Sequence, residues 1–465
     1  MIQTIQEIFE LQKAHSLSLR STNSQQRKNK LRKLKAVIEA HEKEIYAALH
    51  KDLRKSEFEA AFSEVFFIYG EIDFAIRHLS GWMKPKTTGV TLTSLLTKSR
   101  IYYEPKGTCL IIAPWNYPFQ LLISPLISAI AAGNCAIVKP SEISKATSAV
   151  IMKLISENFD SKEIACFEGD AHVSQALLEL PFDHIFFTGS TSIGKIVMAA
   201  AAKNLTSVTL ELGGKSPAII DRHTNLKKTA EKIVWGKFLN AGQTCIAPDY
   251  VLIRKEHEEE FIRHASETID KMYRPEGKLD EQSYGKIINR KNFDRLNNLV
   301  ADAVSGGAIV RAGGNYSIED LTIEPVLLTG VDPESQLMKE EIFGPVLPVI
   351  NYETIDDAIN FVNRLPKPLA LYVFTDQIEI SNHIIKDTSA GGTTVNDVLV
   401  HISNPNLPFG GVNSSGIGSS HGYFGFKTFS HERAVLFQSS INFNKLVYPP
   451  FGKKNGLLKW LKKLM

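Results

Sequence analysis

Runs of apolar residues alternate with amphipathic stretches from Thr108 onward. Four short apolar runs predict buried parallel strands, at Thr108–Ala113, Cys135–Val138, Ile164–Phe167 and His184–Phe187. A segment with apolar residues at helical spacing follows each run, at Leu121–Ala132, Lys145–Asn158, Val173–Leu180 and Ser192–Ala202. This repeated order of strand and helix is typical of a doubly wound α/β sheet, which binds its ligands at the carboxyl ends of the strands.

The rest of the chain predicts more helices, an extended arm and a second α/β region. Before the first strand, helical patterns cover residues 24–46 and 57–82, and an extended segment covers Arg100–Glu104. The second region has helices predicted at Lys227–Leu239 and Glu258–Met272, strands at Val251–Ile253 and Leu369–Phe374, and a last strand at Val435–Phe443. We find no internal repeat, so the chain is expected to form two interleaved α/β domains.

Composition places the chain among ordinary globular proteins. Of its 465 residues, 43% are hydrophobic and 22% are charged, and the net charge of +3 gives no reason to expect a nucleic-acid partner. The four cysteines lie far apart without a CxxC pair, which argues against a zinc ribbon and a disulfide framework. We see no signal-peptide core and no apolar run long enough for a membrane span. The sequence therefore predicts a soluble, cytoplasmic protein.

Three glycine patterns resemble nucleotide-binding motifs but fail as exact matches. Thr188–Lys195 fits GxxxxGK, yet Ile196 stands where a P-loop needs Ser or Thr for magnesium, and the middle glycine of GxGxxG is missing. Gly416–Gly422 has one residue too many for GxGxxG. The turn at Gly189 still precedes a predicted helix, whose N-terminus could hold a phosphate or simply be capped by Ser190 or Thr191. Spacing alone leaves both interpretations open.

Two further segments carry residues that can do chemistry. Glu211 stands beside two glycines at the end of a strand-like run, where it could be a general base or an ordinary turn carboxylate. Cys245 follows a Gly-Gln-Thr turn, where a buried structural cysteine is the default and a nucleophile would need help to ionise. From the residues alone, these alternatives also stay open.

Seven segments together resemble the aldehyde dehydrogenase superfamily over about residues 30 to 435. They occur in the family's order and are Ala113–Phe119 (APWNYPF), Lys139–Glu142 (KPSE), Phe187–Thr191 (FTGST), Glu211–Lys215 (ELGGK), Gly242–Cys245 (GQTC), Glu340–Pro345 (EEIFGP) and Pro408–Gly411 (PFGG). Cys245–Tyr250 (CIAPDY) and Thr428–His431 (TFSH) are most similar to the class 3 and fatty aldehyde dehydrogenase branch. The resemblance implies NAD(P)-dependent oxidation of an aldehyde to a carboxylic acid.

By this resemblance, three residues carry the catalysis. Cys245 is the nucleophile that forms a thiohemiacetal and then a thioester, and Asn116 is the oxyanion-hole amide that acts with the backbone N–H of Cys245. Glu211 is the base that activates water to hydrolyse the thioester. Acylating relatives, which use coenzyme A, generally lack this glutamate. The same three residues argue against a catalytically silent protein on this fold, and Ile196 argues against an NTPase.

The resemblance also assigns the cofactor site. Lys139, Ser141 and Glu142 match the segment that holds the adenosine ribose, and a carboxylate there favours NAD over NADP because it repels a 2′-phosphate. Members of this branch often accept both cofactors. Five more residues match positions around the pyrophosphate and the nicotinamide riboside, namely Trp115, Gly189, Ser190, Glu341 and Phe343.

Substrate contacts are the least determined by sequence. Tyr117, Trp235 and Thr244 flank motif residues and could line an apolar tunnel for a medium- or long-chain or aromatic aldehyde, although Trp235 fits a helix core equally well. No cluster has metal-ligand spacing, and the reaction needs no metal. Three histidines are expected to be structural, at His401, His421 and His431.

The expected domain plan follows the same resemblance. Residues 1–82 and 103–212 would form the NAD(P)-binding domain, 213–415 the catalytic domain, and 83–102 with 433–443 an oligomerisation arm of a homodimer. Residues 444–465 carry six lysines and no acid. One helical face is predicted to carry the apolar residues Leu457, Leu458, Leu461, Leu464 and Met465, with Trp460 beside it. This basic amphipathic tail could lie on an anionic membrane, dock on its own subunit over the substrate entrance, or fray.

Overall fold

The computed structural model describes residues 2–91, 94, 96–441, 445, 448–452, 454 and 462. The apolar residues predicted for the tail helix lie outside the described residues, namely Leu457, Leu458, Trp460, Leu461, Leu464 and Met465. Among the helices that the structure describes, none combines the length and the apolar composition that a bilayer span requires.

Five helices come first in the described chain. They are α1 Ile2–Leu19, α2 Ser24–Ala40, α3 Glu42–Leu53, α4 Glu57–Ala60 and α5 Phe66–Trp82, and a π-helical turn, Ala61–Val65, joins the last two. Helix α2 begins with a capping box, in which Asn23 and Gln26 each bind the other's backbone N–H. The apolar faces of these helices pack against the first large sheet.

The elements up to residue 211 build that sheet and a small arm. They are β1 Lys86–Thr87, β2 Lys98–Pro105, β3 Thr108–Ile112, α6 Gln120–Ala132, β4 Cys135–Lys139, α7 Lys145–Asn158, β5 Ile164–Cys166, α8 Ala171–Leu178, β6 His184–Thr188, α9 Thr191–Ala202 and β7 Ser207–Glu211. Every residue of β3, β4 and β6 is buried, as expected of parallel strands covered on both faces.

The remaining elements build the second large sheet and then return to the first. They are β8 Pro217–Ile220, α10 Leu226–Phe238, β9 Tyr250–Arg254, α11 Lys255–Tyr273, α12 Arg290–Ser305, β10 Ile309–Ala312, β11 Tyr316–Ser317, β12 Thr322–Ile323, β13 Val326–Thr329, α13 Gln336–Lys339, β14 Val346–Tyr352, α14 Ile355–Arg364, β15 Ala370–Phe374, α15 Ile378–Asp387, β16 Gly392–Val395, β17 Gly416–Ile417, α16 Gly422–Thr428 and β18 Ser430–Phe437. Short 3-10 turns lie at Leu239–Gly242 and Val400–Ser403.

The strands of the described residues form two large sheets and two small ones. The first large sheet has the order β17-β7-β6-β3-β4-β5 and is parallel except for β17. The second has the order β10-β13-β14-β9-β8-β15-β16 and is parallel except for β10. An antiparallel arm has the order β1-β2-β18, and β11 pairs with β12. This architecture confirms the predicted α/β fold with two doubly wound sheets and a small β arm.

The predicted elements of the first sheet are present, and their ends differ by at most two residues from the prediction. The last strand was predicted at Val435–Phe443, which is wrong, because β18 spans Ser430–Phe437. It pairs with β2 from Ser430↔Pro105 to Phe437↔Lys98, so backbone hydrogen bonds to the arm determine its limits. Its first half is polar and largely exposed, which hides it from a search for apolar alternation.

Candidate active site

A cleft of about 400 Å³ lies at the carboxyl ends of β3, β6 and β7. Asn116 enters it from the segment after β3, Gly189 and Ser190 from the turn after β6, and Glu211 from the end of β7. Cys245 reaches the cleft from the second sheet's side, after the turn that follows α10. The three residues predicted to be catalytic therefore line one cavity, although they come from distant parts of the chain.

The turn before Cys245 has an unusual backbone. Asn240 and Ala241 have φ of 51° and Gly242 has φ of 76°, all in the left-handed region. Each non-glycine residue in that region costs of order 1–3 kcal/mol, so surrounding contacts must hold it. A Cβ at Gly242 would overlap the carbonyl oxygen of Gly344, which explains why only glycine fits there.

Buried hydrogen bonds hold this turn in place. The backbone N–H of Asn240 donates to Glu59 Oε1 at 2.9 Å, and the Asn240 side-chain amide donates to the backbone carbonyl of Asn116 at 2.9 Å. Gln243 Nε2 donates to the carbonyls of Asn240 and Lys286, both at 3.0 Å. These contacts tie the cysteine turn to the segment after β3.

The Cys245 thiol lies in an environment that opposes ionisation. Burial raises its pKa well above the ordinary value, and the nearby Glu341 and Glu211 carboxyl groups raise it further. Hydrogen bonds from the backbone N–H groups of Cys245 and Ile246 act in the opposite direction. The environment of Cys245 therefore favours the neutral thiol over the thiolate.

Glu211 is a buried carboxyl group with one hydrogen-bonded oxygen. Burial raises its pKa to about 8, and a hydrogen bond from the Ser420 hydroxyl to Glu211 Oε1, at 2.9 Å, opposes that rise. Among the described residues, none hydrogen-bonds to the other oxygen, Oε2, which is buried. A carboxyl group that titrates near neutral pH is suited to accept a proton.

Asn116 is held by a buried ion pair. Its side-chain Nδ2 donates to the carbonyl of Gln243 at 3.0 Å, which leaves the second N–H of the amide for another acceptor. Its backbone carbonyl accepts from Lys55 Nζ at 3.1 Å, and Lys55 binds Glu64 at 2.5 Å. Lys55 and Glu64 are both completely buried. Sequence reasoning missed this pair, because two charged residues in a helical region usually predict a solvated surface.

Glu341 and Phe343 line the far side of the cleft. The Phe343 ring packs edge to face on Trp115, with ring centroids 5.4 Å apart. Burial raises the pKa of Glu341 to about 8, and Asp249 adds to the rise. A Cβ at Gly213 would overlap the Glu341 carboxylate, so the glycine allows this close approach.

A buried clamp fixes the loop that carries these two residues. Lys215 Nζ binds Asp249 Oδ2 at 2.5 Å and donates to the carbonyls of Leu337 and Glu340 at 2.9 and 3.0 Å. The other oxygen of Asp249 accepts from the backbone N–H of Ile342 at 3.1 Å. The lysine of the ELGGK motif therefore holds the loop that presents Glu341.

The predicted adenosine-ribose residues lie beside a neighbouring cavity of about 240 Å³. Ser141 and Glu142 line it, and the nearly buried Lys139 binds Glu142 with Nζ–Oε2 at 2.6 Å. The residues fit a dinucleotide, because Ser190 caps α9 and leaves backbone N–H groups at that helix N-terminus for a pyrophosphate. The Glu142 and Glu341 carboxylates have the chemistry that ribose hydroxyls need as hydrogen-bond acceptors.

A second, apolar cavity of about 200 Å³ reaches Cys245 from the other side. Tyr117, Trp235 and Thr244 line it, and the Tyr117 hydroxyl lies 2.7 Å from Thr244 Oγ1. Sequence reasoning missed several lining residues, which come from the π-helical turn, α5 and the loop before residue 404, namely Phe62, Phe67, Leu399, Val400 and Ile402. A sequence signal existed for Phe62 and Phe67 alone, which are phenylalanines in the helical pattern of residues 57–82.

The three histidines contact protein groups outside the cleft. His401 stacks on Phe409 with centroids 5.9 Å apart, and burial lowers its pKa to about 4. His421 is buried, with Nδ1 3.6 Å from Glu71 Oε2, and His431 lies in β18. In the part of the chain that the structure describes, no group of three His, Cys, Asp or Glu residues could hold a metal ion.

Comparison with known proteins identifies the family. The model of the aldehyde dehydrogenase family matches residues 3–435. The chain belongs to the aldehyde dehydrogenase family.

Relatives and solved structures agree with this assignment. The chain is 44% identical to 4,4'-diaponeurosporen-aldehyde dehydrogenase of Staphylococcus aureus over 438 residues. The aligned region covers 94% of each protein. It is 44% identical over 436 residues to aldehyde dehydrogenase family 3 member A2 of Pongo abelii, covering 93% of this chain and 89% of the relative. A solved structure described as the substrate-bound state of Staphylococcus aureus AldH superposes with a TM-score of 0.93 at 42% identity, covering 98% of this chain and 99% of the other.

These similarities confirm the predicted family and its class 3 branch. The chain is an aldehyde dehydrogenase, an oxidoreductase that uses NAD(P). The GxxxxGK segment does not form a phosphate loop, because α9 already begins at Thr191 and contains Gly194 and Lys195. This geometry and the family match argue against the NTPase interpretation.

Proposed function

We propose that this aldehyde dehydrogenase oxidises medium- or long-chain aliphatic or aromatic aldehydes to free carboxylic acids. The reaction passes through a thiohemiacetal and a thioester on Cys245, and a water activated by Glu211 hydrolyses the thioester. The net reaction converts an aldehyde, NAD(P)⁺ and water into a carboxylic acid, NAD(P)H and a proton.

The observation that carries this proposal is the position of Cys245 where two cavities meet. One is the cleft that contains Glu211, Asn116 and the predicted cofactor residues, and the other is apolar. An aldehyde whose chain fills the apolar cavity would present its carbonyl carbon to the thiol. The residues of the cleft then surround the reacting carbon.

The first step is attack by the Cys245 sulfur on the aldehyde carbon. Cys245 is half-buried and lines the cleft, so its thiol proton can pass through the cleft to solvent before attack. The carbonyl oxygen becomes an oxyanion, which accepts hydrogen bonds from the free N–H of the Asn116 amide and the backbone N–H of Cys245. One such donor is typically worth about 3 kcal/mol of transition-state stabilisation.

NAD(P), when bound, supplies the acceptor for the hydride that leaves the former aldehyde carbon. Glu341, Phe343 and Trp115 would hold its nicotinamide riboside, and Gly189 and Ser190 its pyrophosphate. In the last step ionised Glu211 takes a proton from water as the water oxygen attacks the thioester carbon. The C–S bond breaks, and the carboxylic acid leaves.

The proposed cofactor preference is NAD, with NADP also accepted. The Glu142 carboxylate can accept a hydrogen bond from a ribose 2′-hydroxyl and would repel a 2′-phosphate. Lys139 pairs with that carboxylate and so reduces its net charge. This pairing supports a preference rather than an exclusion.

The apolar second cavity supports the substrate class. Its lining is dominated by aromatic and aliphatic side chains, with Trp235, Leu239 and Phe67 among them. A hydrocarbon chain gains about 0.8 kcal/mol for each CH₂ group that it buries. Longer aldehydes should therefore have higher kcat/KM than short ones until the cavity is full. The relative named for 4,4'-diaponeurosporen-aldehyde is in accord with an apolar substrate.

Assembly and location are further proposals. We propose a homodimer, with residues 83–102 and 433–443 as its oligomerisation arm, an NAD(P)-binding domain at 1–82 and 103–212, and a catalytic domain at 213–415. The enzyme is proposed to act in the cytoplasm, with peripheral membrane contact through the basic tail of residues 444–465. Deletion of residues 456–465 should reduce co-sedimentation with anionic liposomes, and unchanged co-sedimentation would remove the membrane proposal.

The first experiment follows reduced-cofactor absorbance with short-chain, long-chain and aromatic aldehydes, using NAD and then NADP. Cys245→Ala should abolish turnover with every aldehyde. Glu211→Gln should release reduced cofactor once per active site and then turn over 10²- to 10⁴-fold more slowly, because the thioester accumulates. Added coenzyme A should leave the parent rate unchanged. Full activity without Cys245, or turnover that requires coenzyme A, would overturn the mechanism.

A further inference from the structure

The glycine-rich segment Gly416–Gly422 lies directly against the strand that ends in Glu211. Its first two residues form β17, which pairs antiparallel with β7 in the register Gly416↔Glu211. The Leu212 N–H donates to the carbonyl of Ser415 at 3.0 Å and continues the contact past the end of β7. A Cβ at Gly416 would overlap the carbonyl oxygen of Leu210, so glycine permits this close approach.

The same segment brings Ser420 to the base. Ser420 is buried, and its hydroxyl donates to Glu211 Oε1 at 2.9 Å and lies 3.3 Å from the carbonyl oxygen of Phe409. A backbone hydrogen bond from Ser420 N to Phe409 O, at 2.6 Å, fixes the residue from the other side. The serine is therefore held at two points and has little freedom to leave the carboxylate.

We propose that Ser420 is a positioning residue for thioester hydrolysis, which holds Glu211 Oε1 and leaves Oε2 free to take the proton from water. The inference rests on the proposed function, in which Glu211 is the hydrolytic base. It also assigns a role to Gly416–Gly422, which is to carry Ser420 to the base.

The hydroxyl can serve both protonation states of Glu211. When the carboxylate is ionised, the single hydroxyl proton points to Oε1 and stabilises the negative charge. When Oε2 has taken a proton from water, Oε1 is the carbonyl oxygen of the neutral acid and still accepts from the same hydroxyl. Ser420 can therefore hold Oε1 in both protonation states of the base.

Few other polar groups face Glu211 in the described residues. The Cys245 thiol and the Glu341 carboxyl group line the same cleft as Glu211, and both carboxyl groups raise the pKa of that thiol. His421, next along the chain from Ser420, is turned toward Glu71 and Ser124. Ser420 is thus the donor that opposes the effect of burial on Glu211.

The test measures kcat, kcat/KM and the initial burst of reduced cofactor for the parent enzyme, Ser420→Ala and Ser420→Thr between pH 6 and 9. Loss of the hydroxyl should move the midpoint of the kcat profile upward by about one pH unit and lower kcat at pH 7 about tenfold. kcat/KM for the aldehyde should stay unchanged, because hydrolysis follows hydride transfer. Ser420→Thr, which keeps the hydroxyl, should retain the parent midpoint.

Ser419→Ala is the matched control, since it removes a neighbouring hydroxyl that is not bound to Glu211, and it should behave like the parent. If Ser420→Ala gives no burst because it does not fold, Ser420→Cys takes its place, and its weaker donor should give a smaller upward shift. The inference is wrong if the parent turns over and the alanine or cysteine variant keeps its pH midpoint, or if kcat and kcat/KM fall together. Absence of a burst in the parent with every aldehyde would instead refute the proposed function.

Discussion

Burial, together with the carboxyl groups of Glu341 and Glu211, opposes ionisation of Cys245. Each carboxyl group has a pKa raised to about 8, mainly by burial. Both carboxyl groups, once ionised, add to the effect of burial and raise the pKa of the thiol further. The cleft therefore favours the neutral forms of all three acidic groups.

The raised pKa of Glu211 predicts that turnover depends on pH. In the proposed mechanism ionised Glu211 is the base, and its raised pKa means that the ionised fraction grows as pH rises through about 8. Where hydrolysis limits turnover, kcat should increase with pH, with a midpoint at about pH 8, and level off about one pH unit above that midpoint. Steady-state rates with a saturating aldehyde check this, with a reduced-cofactor burst as proof that hydrolysis is limiting. A burst together with a flat profile would contradict the assignment.

At the scale of the elements, the turn Leu239–Gly242 positions Cys245, the proposed nucleophile. Its three consecutive left-handed residues aim Cys245 at the cleft, and Gly242 must remain glycine because a side chain would meet the backbone of Gly344. The motif GQTC therefore has a structural requirement as well as a chemical one.

Gly242→Ala should destabilise the protein by about 2 kcal/mol or more and lower kcat about a hundredfold, through misplacement of Cys245. Urea unfolding and steady-state rates measure the two effects. The control is Gly81→Ala in α5, where an added Cβ meets nothing within 4 Å. That substitution should be neutral or stabilise the helix by up to about 1 kcal/mol. Equal behaviour of the two variants would show that the turn is not constrained.

The beginning of α6 is held by the buried ion pair of Lys55 and Glu64. Glu64 Oε2 accepts from the backbone N–H groups of Phe119 and Gln120, at 2.9 and 3.1 Å, while its other oxygen binds Lys55. Lys55 also lies 3.8 Å above the Tyr117 ring. The ion pair thus joins the N-terminal helices to the segment that carries Asn116 and Tyr117.

Lys55→Met should cost about 3–5 kcal/mol of unfolding free energy, because it leaves the Glu64 charge buried without its partner. The matched control is Lys35→Met, which breaks a partly exposed pair with Asp73 at 2.8 Å. The loss there should be about 1 kcal/mol or less. Denaturant unfolding of both variants makes the comparison, and losses of the same size would mean that the buried pair is not structural.

At the scale of the whole molecule, two strand edges bear on the proposed dimer. In the part of the chain that the structure describes, β16 pairs on one side with β15, and β18 pairs on one side with β2. Exposed apolar residues stand on these strands, with Val395 on β16 and Leu436 and Phe437 on β18. An edge with apolar residues is a template for another strand, so we infer that a second copy covers these edges.

Val395→Lys should therefore weaken the dimer and shift the mass measured by light scattering toward the monomer. The control is Ile309→Lys, which places the same charge on β10, at the opposite edge of the same sheet. That variant should keep the parent's mass. A dimer that survives the first substitution, or is lost with both, would argue against this interface.

By itself the sequence determined the alternation of strands and helices, because a strand buried on both faces must be apolar along its length and its covering helices must be amphipathic. It also determined the family, and with it the expected roles of Cys245, Glu211 and Asn116, since each lies in a short local motif. In the motifs of Cys245 and Glu211 the reactive side chain is accompanied by glycines that allow close backbone approach. The strand at Ser430–Phe437 was placed wrongly, because its limits depend on hydrogen bonds to β2, more than 300 residues earlier.

Only the tertiary structure decided which distant residues support the reacting groups. Ser420 meets Glu211 across 209 positions of sequence, and Lys55 meets the carbonyl of Asn116 across 61. Such contacts leave no periodic or local signal, because packing between sheets and helices creates them. The same packing buries Glu211 and so raises its pKa, a property that no residue carries in its own sequence neighbourhood.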